Sequence, residues 1–436
     1  MSDYIVHTQS EIERMLEVCK VSNIEELFSE IPADLRAKAL VMPKGKAQLE
    51  VMQELKQLAK MNKQYDCILR GAGSYNHYIP AVVGRLASRS EFVTAYTPYQ
   101  AEMSQGILQS IFEYQSMIAN MCGLDISNAS LYDGATACVE AVIMCVDKKR
   151  KKVVVSANIN PETMAVLETH LRPINIDIIV VGDKGKTNTS DIAVAIDEEV
   201  ACVYIEQPNF YGIIEEAQEI GAIVADTKAL YIMGVNPISL GVLKNPLECG
   251  ADIAVGEGQP LGLPMSFGGP YLGFMATTSK LMRKLPGRIV GETVDREGKR
   301  AFVLTLQARE QHIRREKALS NICSNQALCA LQASIYLAAM GKQGMKDVAV
   351  SCLSKAHYAK DAFIATGKCS VAYEDEFFHE FVLNTSVKAD SILKALENMN
   401  ILGGLKIADN QILWCVTEMV TKEQIDDVAS IIKGVA

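Results

Sequence analysis

The 436-residue chain has one tryptophan, six histidines and twelve cysteines of which no two stand in a Cys-x-x-Cys pair. That spacing is what a zinc ribbon or a redox dithiol needs, so no metal site is expected and most of the cysteines are read as buried thiols of a reducing compartment. Long apolar runs are also missing. Stretches such as Ile176 to Val181 fall far short of the roughly 20 apolar residues that cross a bilayer, and Met1 to Ser10 has no basic and apolar leader. A cytoplasmic chain without a membrane partner is expected. Positive charge is in deficit: 43 Lys and Arg stand against 52 Asp and Glu, a formal charge of −9. This argues against nucleic acid as a partner, because such binding works by displacing counterions with a basic surface. No repeat or low-complexity tract stands out.

What is present is apolar material, 49% of the residues, enough for one large core and a second, smaller domain. Two capping boxes, Thr8 to Glu11 and Ser22 to Glu25, open short amphipathic helices with apolar stripes Ile12, Met15, Leu16, Cys19 and Ile24, Leu27, Phe28, Ile31. They read as an arm that packs on something else. Pro98 is placed in the first turn of a long helix whose apolar positions, Met103 through Met121, step by three and four until Gly123. From residue 152, short β-branched runs (Val153 to Val155, Ile176 to Val181, Ala201 to Ile205, Ala222 to Ala225, Ile253 to Val255) alternate with helical stretches. This is the pattern of a mostly parallel sheet covered on both faces. The expected division is an N-terminal helical arm over 1–65, a large α/β domain over 66–340 and, past the Gly341 to Gly344 punctuation, a small α/β domain over 341–436.

Three segments carry chemistry. Leu69 to Pro80 and Thr94 to Gln100 hold Tyr75, Tyr78, Tyr96, Tyr99 and His77 among glycines and prolines, and with Tyr65 they gather five of the fifteen tyrosines. Such a loop suits either the wall of a site or a connection whose aromatics plug the core. Ser130 to Ala137 is a turn before an apolar helix, where free amides could hold a phosphate. Asp133 already places a carboxylate there, which should cap the helix and repel such a group. Gly250 to Pro264 is a strand running into a glycine-rich loop that lets backbone approach a ligand. A fourth stretch, Gly182 to Thr187, looks like a phosphate loop, but two residues separate its glycines where the nucleotide pattern needs four.

Together these stretches resemble subunit 1 of the P-protein family, the glycine decarboxylase of the glycine cleavage system. The resemblance rests on Gly71 to Pro80, Tyr96 to Gln100, Tyr132 to Thr136, Gly256 to Pro264, Pro286 to Gly291, Arg314 to Ala318 and Ser320 to Gln326. It implies a pyridoxal-phosphate type I, aspartate aminotransferase-like fold. The implied reaction takes carbon dioxide from glycine and passes the aminomethyl group to the lipoyl arm of H-protein. Aligned by Pro264, the loop puts Gln259 where the cofactor-bearing subunit keeps its Schiff-base lysine, and an amide nitrogen, delocalised into its carbonyl, forms no aldimine. Asp226 is aligned with the carboxylate that pairs with the pyridinium nitrogen, or else is an ordinary turn residue. The resemblance therefore implies a catalytic fold with Asp133, Asp226 and Gln259 as relics of a cofactor site. Pyridoxal phosphate would be held by P-protein subunit 2, and Tyr75, His77, Tyr78, Tyr96 and Tyr99 would be offered to a shared interface site.

Two alternatives stay open: a self-sufficient pyridoxal-phosphate enzyme using another lysine, such as Lys228, and a purely structural subunit. One further expectation comes from charge. Between Arg283 and Lys317 ten basic residues face five acidic ones, 10 − 5 = +5 in a chain of −9. Arg296 and Arg300 are candidates for steering the acidic H-protein, unless this is a solvated face whose arginines pair internally.

Overall fold

The computed structural model describes residues 6–36, 42–95, 98–318, 320, 322 and 325–435, and it divides into two compact units, Met1–Gln64 and Tyr65–Ala436. In the first unit the helix Gln9–Cys19 starts where the Glu11 carboxylate accepts the Thr8 amide at 2.7 Å. It stops at Lys20 in a left-handed conformation. The next turn, Ile24–Phe28, is a 3₁₀ helix capped by Asn23, whose side chain accepts the Glu26 amide at 3.1 Å. The expected box is thus displaced by one residue, because Asn23 caps as well as Ser22 and the carboxylate that answers Ser22 is Glu26. A third helix, Gln48–Ala59, follows, and no residue of the three helices is buried.

The second unit is built on a seven-stranded sheet. Its order is Ile126–Ser127, Gly273–Thr277, Ile253–Glu257, Leu230–Val235, Val200–Gln207, Lys152–Ser156 and Asp177–Val181. The last five are mutually parallel, and Gly273–Thr277 runs antiparallel to both neighbours. Side chains alternate between two cores. Val153, Val155, Tyr204, Ile232 and Val255 enter one with the helices Gly134–Cys145 and Pro161–Leu171, while Val154, Val203, Ile205, Met233 and Ala254 enter the other. Burial on both faces is why these strands are continuously apolar in sequence.

Two expectations are corrected here. Ala222 to Ala225 is not a strand but the end of the helix Ala217–Ala225, with the strand following at Leu230–Val235. A short apolar run has no period that separates the two. The long helix begins at Gln105, so Pro98 lies in a turn ahead of it, and Gly123 ends it with φ 73°.

A second, antiparallel sheet has the order Cys369–Val371, Glu380–Thr385, Gln411–Cys415, Leu405–Ala408. It packs Phe381 and Trp414 against Phe363 from the helix Ala327–Ile364. That stretch is two helical segments meeting at a kink at Gly341, where φ is 59°. No helix among the described residues is long and apolar enough to cross a membrane.

Candidate functional site

The parallel strands end at a cavity of about 700 Å³, the position where open α/β sheets place ligands. Two strand-end carboxylates line it, Glu206 and Glu257. The helix Gly134–Cys145 points its N-terminus at the same space, with amides and a partial positive charge that would suit an anion. Protein carboxylates already answer those amides. Asp133 Oδ1 accepts from the Thr136 amide and hydroxyl, both at 2.8 Å, and Glu257 Oε2 accepts from the Gly134 amide at 3.0 Å. Glu257 Oε1 takes two more amides, those of Gln259 and Leu272, at 2.9 Å each. A Cβ on Gly134 would come within 2.9 Å of the Glu257 amide nitrogen, so glycine there lets the helix close onto the strand.

Gln259, just past the Ile253–Glu257 strand, is almost fully buried. Its Oε1 accepts the Tyr75 amide at 2.9 Å, while Nε2 donates to the Tyr75 carbonyl at 3.0 Å and the Leu263 carbonyl at 2.8 Å. The side chain is therefore a two-point clamp on the main chain of the tyrosine-rich loop.

Other side chains hold that loop as well. Glu380 accepts the Ala72 amide at 2.6 Å and the Tyr75 hydroxyl at 2.8 Å, and Asn160 donates to the Ala72 carbonyl at 3.2 Å. Glu418 accepts the Tyr78 amide and bonds His77 Nδ1, both at 2.7 Å, and Thr417 donates to the Asn76 carbonyl at 2.6 Å. These bonds fix a strained backbone, since Ala72 has φ 64° in the left-handed region.

Burial pushes Glu206, Glu257 and Glu380 up to about 7, only partly offset by the donors each receives. Burial also drives His379, stacked near His77, down to about 3, so its ring is neutral.

Of the residues singled out in the sequence, Tyr75, Asp133 and Gln259 come together at the cavity, the first two in its lining and Gln259 behind it. Tyr75 and His77 are tied to Glu380 and Glu418 rather than free to reach outward. Tyr78 is the exposed member, at 57%. Tyr99 lies elsewhere, bonded to Asn325 with the Arg288 guanidinium 4.4 Å over its ring. Tyr96 falls outside the described residues.

Asp226 is a correction: it caps the helix Ala217–Ala225, is exposed and does not line the cavity. The neighbouring strand, Leu230–Val235, leads instead to Asn236, which lines the cavity and whose amide nitrogen lies 3.2 Å from His379 Nε2. Lys228 is exposed in the same turn as Asp226, away from the cavity lining. Glu206, Glu380 and Asn236 were missed in the sequence. A glutamate closing an otherwise apolar run, as in Val200–Gln207, was the one available signal. Arg300 pairs with Glu292 at 2.8 Å on the hairpin Ile289–Val294/Arg300–Thr305, Arg296 is exposed at its turn, and Arg288 pairs with Glu310 at 3.4 Å.

The family model for the glycine cleavage system P-protein matches residues 2–432. The chain belongs to the P-protein family. A P-protein relative from Moorella thermoacetica, named probable glycine dehydrogenase (decarboxylating) subunit 1, is 48% identical over 441 residues, covering 99% of each chain. One of the same name from Bacillus cereus strain B4264 is 47% identical, covering 97% of each. The crystal structure of a glycine decarboxylase P-protein in inhibitor-bound form superposes with a TM-score of 0.93 at 40% identity over the full length of both chains. A more distant structure, a C-DES mutant with glycine covalently linked to the pyridoxal-phosphate cofactor, matches at TM-score 0.63 and 13% identity, covering 87% of this chain and 98% of its own. The fold is pyridoxal-phosphate type I.

The residues of this P-protein chain do not fit that cofactor. Carboxylates occupy the helix N-terminus that a phosphate would need, and the buried amide of Gln259 has both its protons engaged by carbonyls. Asn236, at the strand end, brings no negative charge.

Proposed function

We propose that this chain is the non-lysine-bearing subunit of glycine decarboxylase. It would act with a P-protein subunit 2 that holds pyridoxal phosphate, decarboxylating glycine and transferring the aminomethyl group to lipoylated H-protein in the cytoplasm. The observation that carries this reading is Gln259, an amide buried and hydrogen-bonded at the end of the cofactor-side strand. The engaged amide cannot act as a nucleophile, and the cavity lining among the described residues holds no lysine, which supports a catalytic group supplied by another chain.

Within this reading the division into an arm (1–65), a large domain (66–340) and a small domain (341–436) gives the arm and the tyrosine-rich loop to the partner interface. Tyr78 presents its ring outward. Tyr75 and His77 hold the loop that carries it, and Tyr99, with Tyr96 outside the described residues, is offered to the same interface. Arg296 and Arg300, on the exposed hairpin, steer the acidic carrier.

The test is reconstitution. The isolated chain should neither decarboxylate glycine nor exchange its carboxyl group with bicarbonate, and adding the partner should restore both activities. Glycine-dependent turnover by this chain alone would overturn the proposal.

A second reading has support in one observation: Tyr75 Oη bonds Glu380 and His77 Nδ1 bonds Glu418, contacts that a purely structural loop would make. Tyr78→Ala separates the two readings. Reduced turnover per assembled complex supports a site wall, whereas normal turnover with weakened assembly supports a structural subunit.

A further inference from the structure

We propose that His77, Cys352 and Glu418 form a binding site for a divalent cation of the zinc class, outside the cavity lining. The three come from the tyrosine-rich loop, the helix Ala327–Ile364 and the segment after the strand Gln411–Cys415. Their donor atoms all lie within 4.8 Å of one another. Imidazole nitrogen, thiolate sulfur and carboxylate oxygen are the set that zinc-like ions prefer over magnesium or calcium. Metal–ligand bonds of about 2.0–2.3 Å in a tetrahedron put donors roughly 3.3–3.8 Å apart. Here Cys352 Sγ is 3.3 Å and His77 Nδ1 2.7 Å from Glu418 Oε2, and no two donors are more than 4.8 Å apart, so side-chain adjustments of about an ångström would form the shell.

Hydrogen bonding leaves something unexplained at this place. His77 Nε2 is buried, on a side chain 2% exposed, and has no hydrogen-bond partner among the described residues. Tyr336 Oη, electrostatically coupled to both Glu418 and Cys352, is buried without a partner too. A water bound to such an ion would give Tyr336 Oη the partner it lacks. Lys355 Nζ is spent on the Glu418 carbonyl at 2.6 Å, away from the carboxylate.

Charge also balances. Binding exchanges the Cys352 thiol proton, released to solvent, for the ion: Cys–SH + M²⁺ → Cys–S–M⁺ + H⁺. One thiolate and one carboxylate together match the divalent charge, which a buried site requires. The ion would pin the loop to the long helix and to the second sheet. The inference is independent of the function proposed above.

The test uses the full chain free of any affinity tag, loaded with Zn²⁺ or Co²⁺ and desalted. Retention of about one equivalent is expected, with a sulfur-to-cobalt charge-transfer band in the near ultraviolet that is lost in Cys352→Ser and kept in Cys249→Ser. Should Cys352→Ser misfold, X-ray absorption on the zinc-loaded wild type decides, with one sulfur at about 2.3 Å expected. No retained metal, a cobalt spectrum unchanged by Cys352→Ser in a folded protein, or a zinc shell of oxygen and nitrogen alone would each overturn the proposal.

Discussion

Two ends of one cavity solve the same problem with different chemistry. At the helix end, Asp133 and Glu257 meet free amides with carboxylates. At the loop end, the neutral amide of Gln259 meets both polar atoms of the Tyr75 backbone. The helix end needs charge because a helix N-terminus presents only donors and a partial positive charge. A single residue of loop backbone presents one donor and one acceptor, and a primary amide is the side chain that matches both. In each case a protein side chain has taken over polar groups that would otherwise wait for a ligand.

The comparison is tested most severely at the loop end. Gln259→Leu should destabilise the fold by about 2–4 kcal/mol, since it leaves buried backbone groups of Tyr75 without partners. Denaturant unfolding measures this, and a loss below about 1 kcal/mol would mean that the clamp is dispensable. Gln259→Lys, which places a potential Schiff-base amine there, should still fail to retain pyridoxal phosphate through gel filtration while Asp133 and Glu257 remain.

The next effect concerns pH at the helix end. Glu257 is raised to about 7 in the folded chain, chiefly by burial. Between its unfolded value and pH 7 the unfolded chain binds fewer protons, so this group's stabilising contribution, complete at low pH, is lost as pH rises through about 7. Removing the ionisation with Glu257→Gln should abolish up to about 1.4 kcal/mol per pH unit of that slope. Stability curves of wild type and variant that stay parallel from pH 5 to 7 would show that burial there is ineffective.

Asp133→Ala is smaller still, a helix cap worth about 1 kcal/mol. An unchanged midpoint in thermal unfolding would shift the capping role to Glu257. The weakest effect lies on the hairpin, remote from both ends of the comparison. Arg296→Glu with Arg300→Glu should raise the apparent KM for H-protein about threefold at low salt, with the penalty fading as ionic strength rises. A penalty insensitive to salt would leave those arginines as ordinary surface, consistent with the Arg300–Glu292 pair.

How much of this was legible follows from sequence separation. Asp133 and Thr136 are three residues apart, so the cap could be read directly, as could Gly123 ending its helix. Gln259 could be flagged as the wrong residue for an aldimine, but its partner Tyr75 lies 184 residues away. Asp226 was misplaced because Ala222 to Ala225 is apolar whether read as helix or strand, and only the register of Leu230–Val235 against its neighbours shows that Asn236 reaches the cavity.

The sequence by itself determined the parallel sheet, through β-branched runs buried on both faces, the helix caps, through local hydrogen bonding, and the family, through its clustered motifs. Tertiary structure alone decided that Glu206, Glu257 and Glu380 share one cavity and that His77, Cys352 and Glu418 share another place. Such groups meet only when strands and helices far apart in the chain close over one another, and burial then changes the chemistry of each.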